Sequence, residues 1–289
     1  MTVHPSPGKL QAVFLTSGKH HKMKQTLIDC LKMSGGLLLK KLGRELEVSL
    51  KENQSSIVTQ ADFKSEKLII ENIRKRYPYH NIISEESGFI DSGSDFTWVV
   101  DPLDGTSNFA SALPWFGVLI TLFEADFPVM GGAYLPASDT LYLAEKGKGL
   151  YRNGKMLLMK KQHELRNALF AFSVDYTDDE KLFSNCIGIY KKVLKTTRSI
   201  RSTNSLVDFL SVAEGKFGGC INLFTKIWDI SGLGLIISEA GGVVKNIDGN
   251  DLQFKLGSGS CENNYAIMAG SPAIVEEIKK HILNGSIPV

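Results

Sequence analysis

Trp98-Val99-Val100-Asp101-Pro102-Leu103-Asp104-Gly105-Thr106-Ser107-Asn108-Phe109 is the stretch on which the reading of this chain turns. An apolar run ends at a carboxylate, Asp101. Pro102 has no N–H to donate, so the spacing predicts that a central strand stops there. Asp104 follows, and Gly105-Thr106 opens a segment suited to a helix start. A strand thus delivers two carboxylates to its C-terminal end, just before a helix N-terminus. Carboxylates held close together repel unless a cation lies between them. Oxygen-only ligands suit Mg²⁺, which takes one or two carboxylates together with substrate phosphate oxygens. The unpaired N–H groups of a helix start suit a phosphate.

Working outward, three further segments carry acids or hydroxyls at element ends. Ile57-Val58-Thr59-Gln60-Ala61-Asp62 leads from an apolar run into a predicted helix with Phe63, Leu68, Ile69, Ile73 and Tyr77 on one face, stopped by Pro78. Ser84-Glu85-Glu86-Ser87-Gly88 ends a short strand at His80 to Ser84. Trp228-Asp229 opens a predicted helix that closes on Glu239-Ala240-Gly241-Gly242. Asp229 on its own reads equally as a helix cap, and Asp62 as a first-turn acid facing the helix dipole. Lys51 stands in a loop-like run, Lys51 to Ser56, and reads either as a solvated lysine or as a charge beside the site.

These four elements, in this order over roughly residues 25 to 280, resemble the inositol monophosphatase family of Mg²⁺-dependent, lithium-sensitive phosphomonoesterases. The resemblance implies an α/β fold: an α-β-α-β-α five-layer sandwich of the inositol monophosphatase and fructose-bisphosphatase type. It implies two to three Mg²⁺ ions held by Glu85, Asp101, the Leu103 carbonyl, Asp104 and Asp229. Glu85, Thr106 and Asp62 become the catalytic group that orients and deprotonates water. Asp104, Gly105, Thr106, Ser107, Asn222 and Asp229 become the substrate contacts, and Glu86 a supporting residue. A homodimer is the expected assembly.

The substrate is left open between an inositol monophosphate or related polyol or sugar phosphate and a nucleotide such as 3′-phosphoadenosine 5′-phosphate. The family's Arg-Ser-x-Gly-Thr-Ala element stands here as Arg201-Ser202-Thr203-Asn204-Ser205, without its glycine. Asn222 falls where relatives use a glutamate against inositol hydroxyls, which removes a charge from that contact. A non-catalytic ligand-binding homologue is a third reading, opposed by the full carboxylate set.

Composition sets the outer bounds. The chain of 289 residues can bury a substantial core, and its 43% hydrophobic and 22% charged content is ordinary for a globular protein. We expect one domain over residues 1–289, with a metal and phosphate half at roughly 23–160 and a substrate-side half at 161–289. A net charge of +2 with dispersed basic residues gives no basic face for nucleic acid. No apolar run has the length of a membrane span, and Leu10 to Leu15, interrupted by Gln11, makes a poor signal peptide. Residues 1–22 are expected to be a loosely ordered leader, with His20-His21 either solvated or metal-binding.

Cys30, Cys186, Cys220 and Cys261 are widely spaced, which predicts free thiols and a cytoplasmic protein. Leu27, Ile28, Leu31, Leu38 and Leu42 predict a helix from about Lys24 to Leu42, kinked or closely packed at Gly35-Gly36. Gly149 to Lys155 matches the first seven positions of a phosphate-binding P-loop, but Met156 stands where a hydroxyl is needed, and Asn153-Gly154 suits a hairpin turn. Gly232-x-Gly234 is too short to be read as a dinucleotide fingerprint. Strands predicted at Gly117 to Phe123, Val129 to Tyr134 and Thr140 to Ala144, followed by alternating helices and strands to the end of the chain, point to layered α/β structure.

Overall fold

The computed structural model of the protein describes residues 7–44, 48–51 and 57–284. Helix α1 (Pro7–Lys41) leads to a short antiparallel ribbon, β1 (Val48–Leu50) with β2 (Ile57–Thr59), and then to α2 (Gln60–Arg76). Next come β3 (Asn81–Ser84), β4 (Gly88–Ile90), β5 (Phe96–Asp104), the short helix α3 (Thr106–Ala110), β6 (Gly117–Glu124), β7 (Phe127–Leu135), β8 (Thr140–Glu145), β9 (Gly149–Arg152) and β10 (Lys155–Leu157). These strands form an eight-stranded sheet in the order β10-β9-β8-β7-β6-β5-β3-β4, antiparallel except where β3 lies parallel to β5.

The rest of the chain alternates: β11 (Leu169–Ser173), α4 (Glu180–Thr196), β12 (Ser199–Arg201), α5 (Leu206–Ala213), β13 (Gly219–Thr225), α6 (Ile227–Glu239), β14 (Val243–Asn246), β15 (Tyr265–Gly270) and α7 (Pro272–Ile278). Its strands make a five-stranded sheet ordered β12-β11-β13-β15-β14.

The layers follow from which face each apolar residue occupies. Along β6, Val118, Ile120 and Leu122 join a core with Leu27 and Leu31 of α1 and Ile69 and Ile73 of α2. The intervening Leu119 points the other way, into a core with Leu210 of α5 and Ile230, Leu233 and Ile236 of α6. That second core also takes Cys220 and Ala269 from the smaller sheet, so α5 and α6 lie between the sheets. The far face of the smaller sheet, with Phe170, Phe172 and Ile221, packs on Ile189 and Val193 of α4 and Ile274 and Ile278 of α7. Period-two alternation with both faces buried thus gives helix, sheet, helix, sheet, helix.

Several expectations need correction. The first helix starts at Pro7, not near Lys24, so most of the expected loose leader is helical; residues 1–6 lie outside the described residues. Ser6-Pro7 offers a start signal there, but the apolar periodicity is clear only from Leu27 to Leu42, which is why periodicity alone placed the start near Lys24. Gly35 is a close-packing position, since a Cβ there would lie 2.4 Å from the Tyr134 ring.

Strand β5 passes through Pro102 to Asp104. It survives because its pairing with β6 slips between Asp101 and Asp104, a bulge where the missing N–H is not required. β7 begins at Phe127, two residues before the strand expected at Val129 to Tyr134. Gly149 to Leu157 is a β-hairpin, with Asn153 and Gly154 both at positive φ, which removes the P-loop reading. Gly232 and Gly234 lie inside α6. Residues 45–47 and 52–56, which include most of the loop-like run Lys51 to Ser56, lie outside the described residues.

Candidate active site

A cleft opens where the ends of β3, β5, β11 and β13 meet the first turns of α3, α5 and α6. At its foot, ligand oxygens of Asp101, Asp104 and Asp229 all lie within 4.8 Å of one another. Each acid arrives there for a local reason. Asp101 sits at the β5 bulge and accepts the Leu103 N–H at 3.0 Å. Asp104 ends β5 and accepts the N–H of Leu206 at 2.6 Å, so it caps α5 from the other half of the molecule. Asp229 lies in the first turn of α6 and accepts the N–H of Lys226 at 2.7 Å.

Asp101 is buried, whereas Asp104 and Asp229 open to the cleft at one edge. The surrounding protein still desolvates them, and desolvation pushes the carboxyls of Asp104 and Asp229 up to about 7. Burial, reinforced by Glu85, Asp104 and Asp229, carries Asp101 well above the ordinary carboxylate range. Three acids at mutual ligand distance, each raised by its surroundings, are a donor set short of a countercharge. That is the condition a hard divalent cation relieves, and oxygen-only donors suit Mg²⁺.

Glu85 lines the same cleft but stands outside that tight trio. Its Oε1 is 2.7 Å from Lys51 Nζ, which also lies 2.5 Å from Glu86 Oε1. Of the two readings of Lys51, the charge beside the site is therefore the one that holds. Burial alone would lower its ammonium pKa; the two glutamates outweigh that and raise it. Burial lifts Glu85 and Glu86 to about 7 despite the lysine.

Asp62 is fully buried as the third residue of α2, in a capping box with Thr59. Its Oδ2 accepts the Thr59 N–H at 2.8 Å and the Thr59 hydroxyl at 2.7 Å. Its Oδ1 faces Thr106 Oγ1 at 3.1 Å, and that hydroxyl lies 3.0 Å from the Leu103 carbonyl oxygen. Gly105 has φ +81°, and a Cβ there would lie 2.6 Å from the Trp115 carbonyl oxygen, so the turn between Asp104 and Thr106 needs glycine twice over. Ser107 is exposed at the rim.

On the opposite wall, Asn222 of β13 accepts the Phe224 N–H at 3.0 Å through Oδ1. Asn204, at φ +47°, adopts the left-handed backbone that a glycine in its place would adopt freely, which asparagine tolerates better than most residues.

Three residues with work to do were missed in the sequence. Glu66 of α2, 5% exposed, accepts the N–H groups of Glu86 and Ser87 and the Ser87 hydroxyl, and so fixes the turn that presents Glu85. Asp208, 2% exposed, accepts the N–H groups of Thr203 and Asn204. Asp175 lines the cleft just past β11. A buried acid in the first turns of a helix reads as an ordinary dipole partner, so only Asp175, between a strand and a turn, carried any hint.

Comparison with known proteins agrees with this fold. A family model described as the inositol monophosphatase family matches residues 19–282. A protein of Aquifex aeolicus named fructose-1,6-bisphosphatase/inositol-1-monophosphatase is 36% identical over 216 residues, 73% of this chain and 81% of its own. The Nus factor SuhB of Pasteurella multocida is 31% identical over 264 residues, 90% of this chain and 95% of its own. The crystal structure of the suppressor protein suhB from Bartonella henselae superposes with a TM-score of 0.83 at 27% identity, covering 92% of this chain and all of that one. The match spans both sheets and every acid described above, and the chain belongs to the inositol monophosphatase family.

Proposed function

We propose that the chain is a Mg²⁺-dependent phosphatase that hydrolyses a small phosphate monoester, an inositol monophosphate or a related polyol or sugar phosphate. The observation that carries this reading is the convergence of Asp101 and Asp104, from β5, with Asp229, from the first turn of α6, beside the Asp62–Thr106 pair. Asp101, Asp104, Asp229, Glu85 and the Leu103 carbonyl would hold two to three ions. When bound, Mg²⁺ supplies the positive charge that acidifies a water and stabilises the leaving alkoxide.

The chain's own groups do the rest. Asp62 accepts the Thr106 hydroxyl proton, leaving that oxygen's lone pairs to receive a hydrogen of the attacking water and aim its oxygen at phosphorus. Glu85, at the cleft edge, takes the proton that water loses. The N–H groups of Gly105, Thr106 and Ser107, at the start of α3, have no partner within that helix and suit the non-bridging phosphate oxygens. The ester is released as an alcohol and inorganic phosphate, with no phosphorylated protein side chain.

The test is phosphate release from a panel of esters with and without Mg²⁺. Turnover that needs the ion and is lost in Asp104→Asn is expected. Metal-independent turnover, or none on any ester, would retire the proposal.

A further inference from the structure

One edge of α2 touches three segments that carry candidate metal ligands. Asp62, Ser65 and Glu66 stand at the helical spacing i, i+3 and i+4, so their side chains leave the helix on one side, and all three are buried. Asp62 meets the hydroxyl of Thr106, just past Asp104. Ser65 Oγ donates to the Pro102 carbonyl oxygen at 2.6 Å, inside the bulge between Asp101 and Asp104. With its one proton on that carbonyl, Ser65 accepts in turn from Ser34 of α1 at 2.5 Å. Glu66 reaches the third segment, the turn that begins at Glu85.

That turn is short. Ser84 of β3 pairs with Gly88 of β4, so Glu85, Glu86 and Ser87 alone span it. The Glu85 N–H donates to the Val100 carbonyl oxygen at 3.3 Å. The next two N–H groups, of Glu86 and Ser87, both donate to Glu66 Oε1, at 3.1 and 3.0 Å, and the Ser87 hydroxyl donates to Oε2 at 2.6 Å. Lys51, the cation of this corner, lies on Glu85 and Glu86. The side chain of Glu85 is thus held by Lys51, and the backbone of its turn by Glu66.

We infer that Glu66 is a positioning residue of the metal centre: by fixing the Glu86–Ser87 turn it sets how tightly Glu85 holds a Mg²⁺ ion. This rests on the Mg²⁺-dependent phosphatase reading above. Mg²⁺ demands near-ideal octahedral geometry, so a carboxylate that swings with its turn is a poor ligand. Without Glu66, two backbone donors and a hydroxyl lose their acceptor, and the turn shifts to answer them elsewhere. Glu85 stands outside the tight trio of aspartates, so no neighbouring donor makes up for its displacement. The trio is held by other groups, the N–H donors of Leu103, Leu206 and Lys226. Loss of Glu66 therefore weakens the ion at Glu85 and leaves the trio in place.

The experiment titrates Mg²⁺ into the wild-type protein, Glu66→Ala, Glu66→Gln, Ser87→Ala and Ile73→Val by calorimetry, and follows the Mg²⁺ dependence of phosphate release from the ester panel. Glu66→Ala should raise the half-saturating Mg²⁺ concentration about tenfold or more, the scale for residues that orient a metal ligand, with a smaller loss of kcat at saturating Mg²⁺. Glu66→Gln should stay within about threefold of wild type, because its Oε1 can accept both N–H groups and its Nε2 can donate to Ser87 Oγ. Ser87→Ala removes one contact of the three and should shift the requirement by about threefold; it decides the question if Glu66→Ala does not fold. Ile73→Val, buried on the same helix outside the cleft, should lower the melting temperature and leave the Mg²⁺ requirement unchanged. An unchanged requirement in Glu66→Ala (or in Ser87→Ala where it stands in), a Gln variant as weak as the Ala one, or a shift in Ile73→Val that tracks its lost stability overturns the inference. A wild type that binds Mg²⁺ but releases no phosphate retires the phosphatase reading and leaves calorimetry to judge Glu66; one that binds no Mg²⁺ retires both.

Discussion

The two walls of the cleft are built on opposite principles. The wall from β3, β5 and α6 concentrates acids whose charge is unbalanced, each pinned by a backbone N–H or a lysine. The wall from β11, β12 and β13 is made mostly of amides and hydroxyls, held by hydrogen bonds to backbone N–H groups and to the carboxylates Asp175 and Asp208. The first wall stores electrostatic demand for an ion; the second offers a fixed pattern of donors and acceptors. Under the proposed function, the contrast separates reaction from choice of substrate. A change on the first wall should abolish turnover, whereas a change on the second should redistribute it.

The strongest way to break that division is Asp104→Asn. Losing one anionic ligand from the trio should cut phosphate release by roughly a thousandfold, the scale of several kcal/mol of charge stabilisation. The melting temperature should stay level, because the substitution also relieves a repelled carboxyl; near-normal turnover would show that the first wall is not the reacting one. Next in size is Gly105→Ala. Its φ of +81° and the 2.6 Å approach to the Trp115 carbonyl should cost roughly 3 kcal/mol and lower the melting temperature by several degrees.

Metal titration sharpens the comparison further. Asp104, Asp229 and Glu85 are raised on folding to about 7, so the folded state holds their protons more tightly than the unfolded chain does. The metal-free protein therefore loses stability as pH rises from the ordinary carboxyl range through about 7, and regains it on acidification. Mg²⁺ should offset that loss, so its stabilising increment in a melting experiment should be larger at about pH 8 than at about pH 5.5. An increment independent of pH would mean that the acids are not the ligands. The smallest effect expected is that of Lys51→Gln, which leaves Glu85 and Glu86 adjacent and uncompensated. It should lower metal-free stability by about 1 kcal/mol and less in saturating Mg²⁺.

How much of this was legible in the sequence depended on distance along the chain. Asp101, Asp104 and Thr106 share one short segment, and the residue types alone announce their chemistry. The layered fold was legible too, because strands such as β6 are apolar on both faces and Ile69 and Ile73 mark the inner face of α2, although Phe63, read on that same face, is exposed. What failed were features decided by partners. Pro102 reads as a strand terminator until the β6 register shows a bulge. The start of α1 at Pro7 lies well before the periodic stretch that announces the helix. The Asn204–Asp175 contact joins residues 29 apart, and the two residues of Lys51 and Glu85 lie 34 apart. No local pattern encodes such meetings; they exist only once β11 and β12 are side by side, or the segment after β1 meets the end of β3.

The hydrogen bond from the Leu206 amide to Asp104 has a wider consequence. One acid serves at once as a member of the trio and as the cap of a helix from the other sheet, across 102 positions of chain. Polypeptides divided in the coil between β10 and β11 would each carry an incomplete centre. Activity should then return only on mixing, with a concentration dependence that reports how firmly the pieces clasp. Such complementation would turn a single capping contact into a gauge of the whole assembly's cohesion.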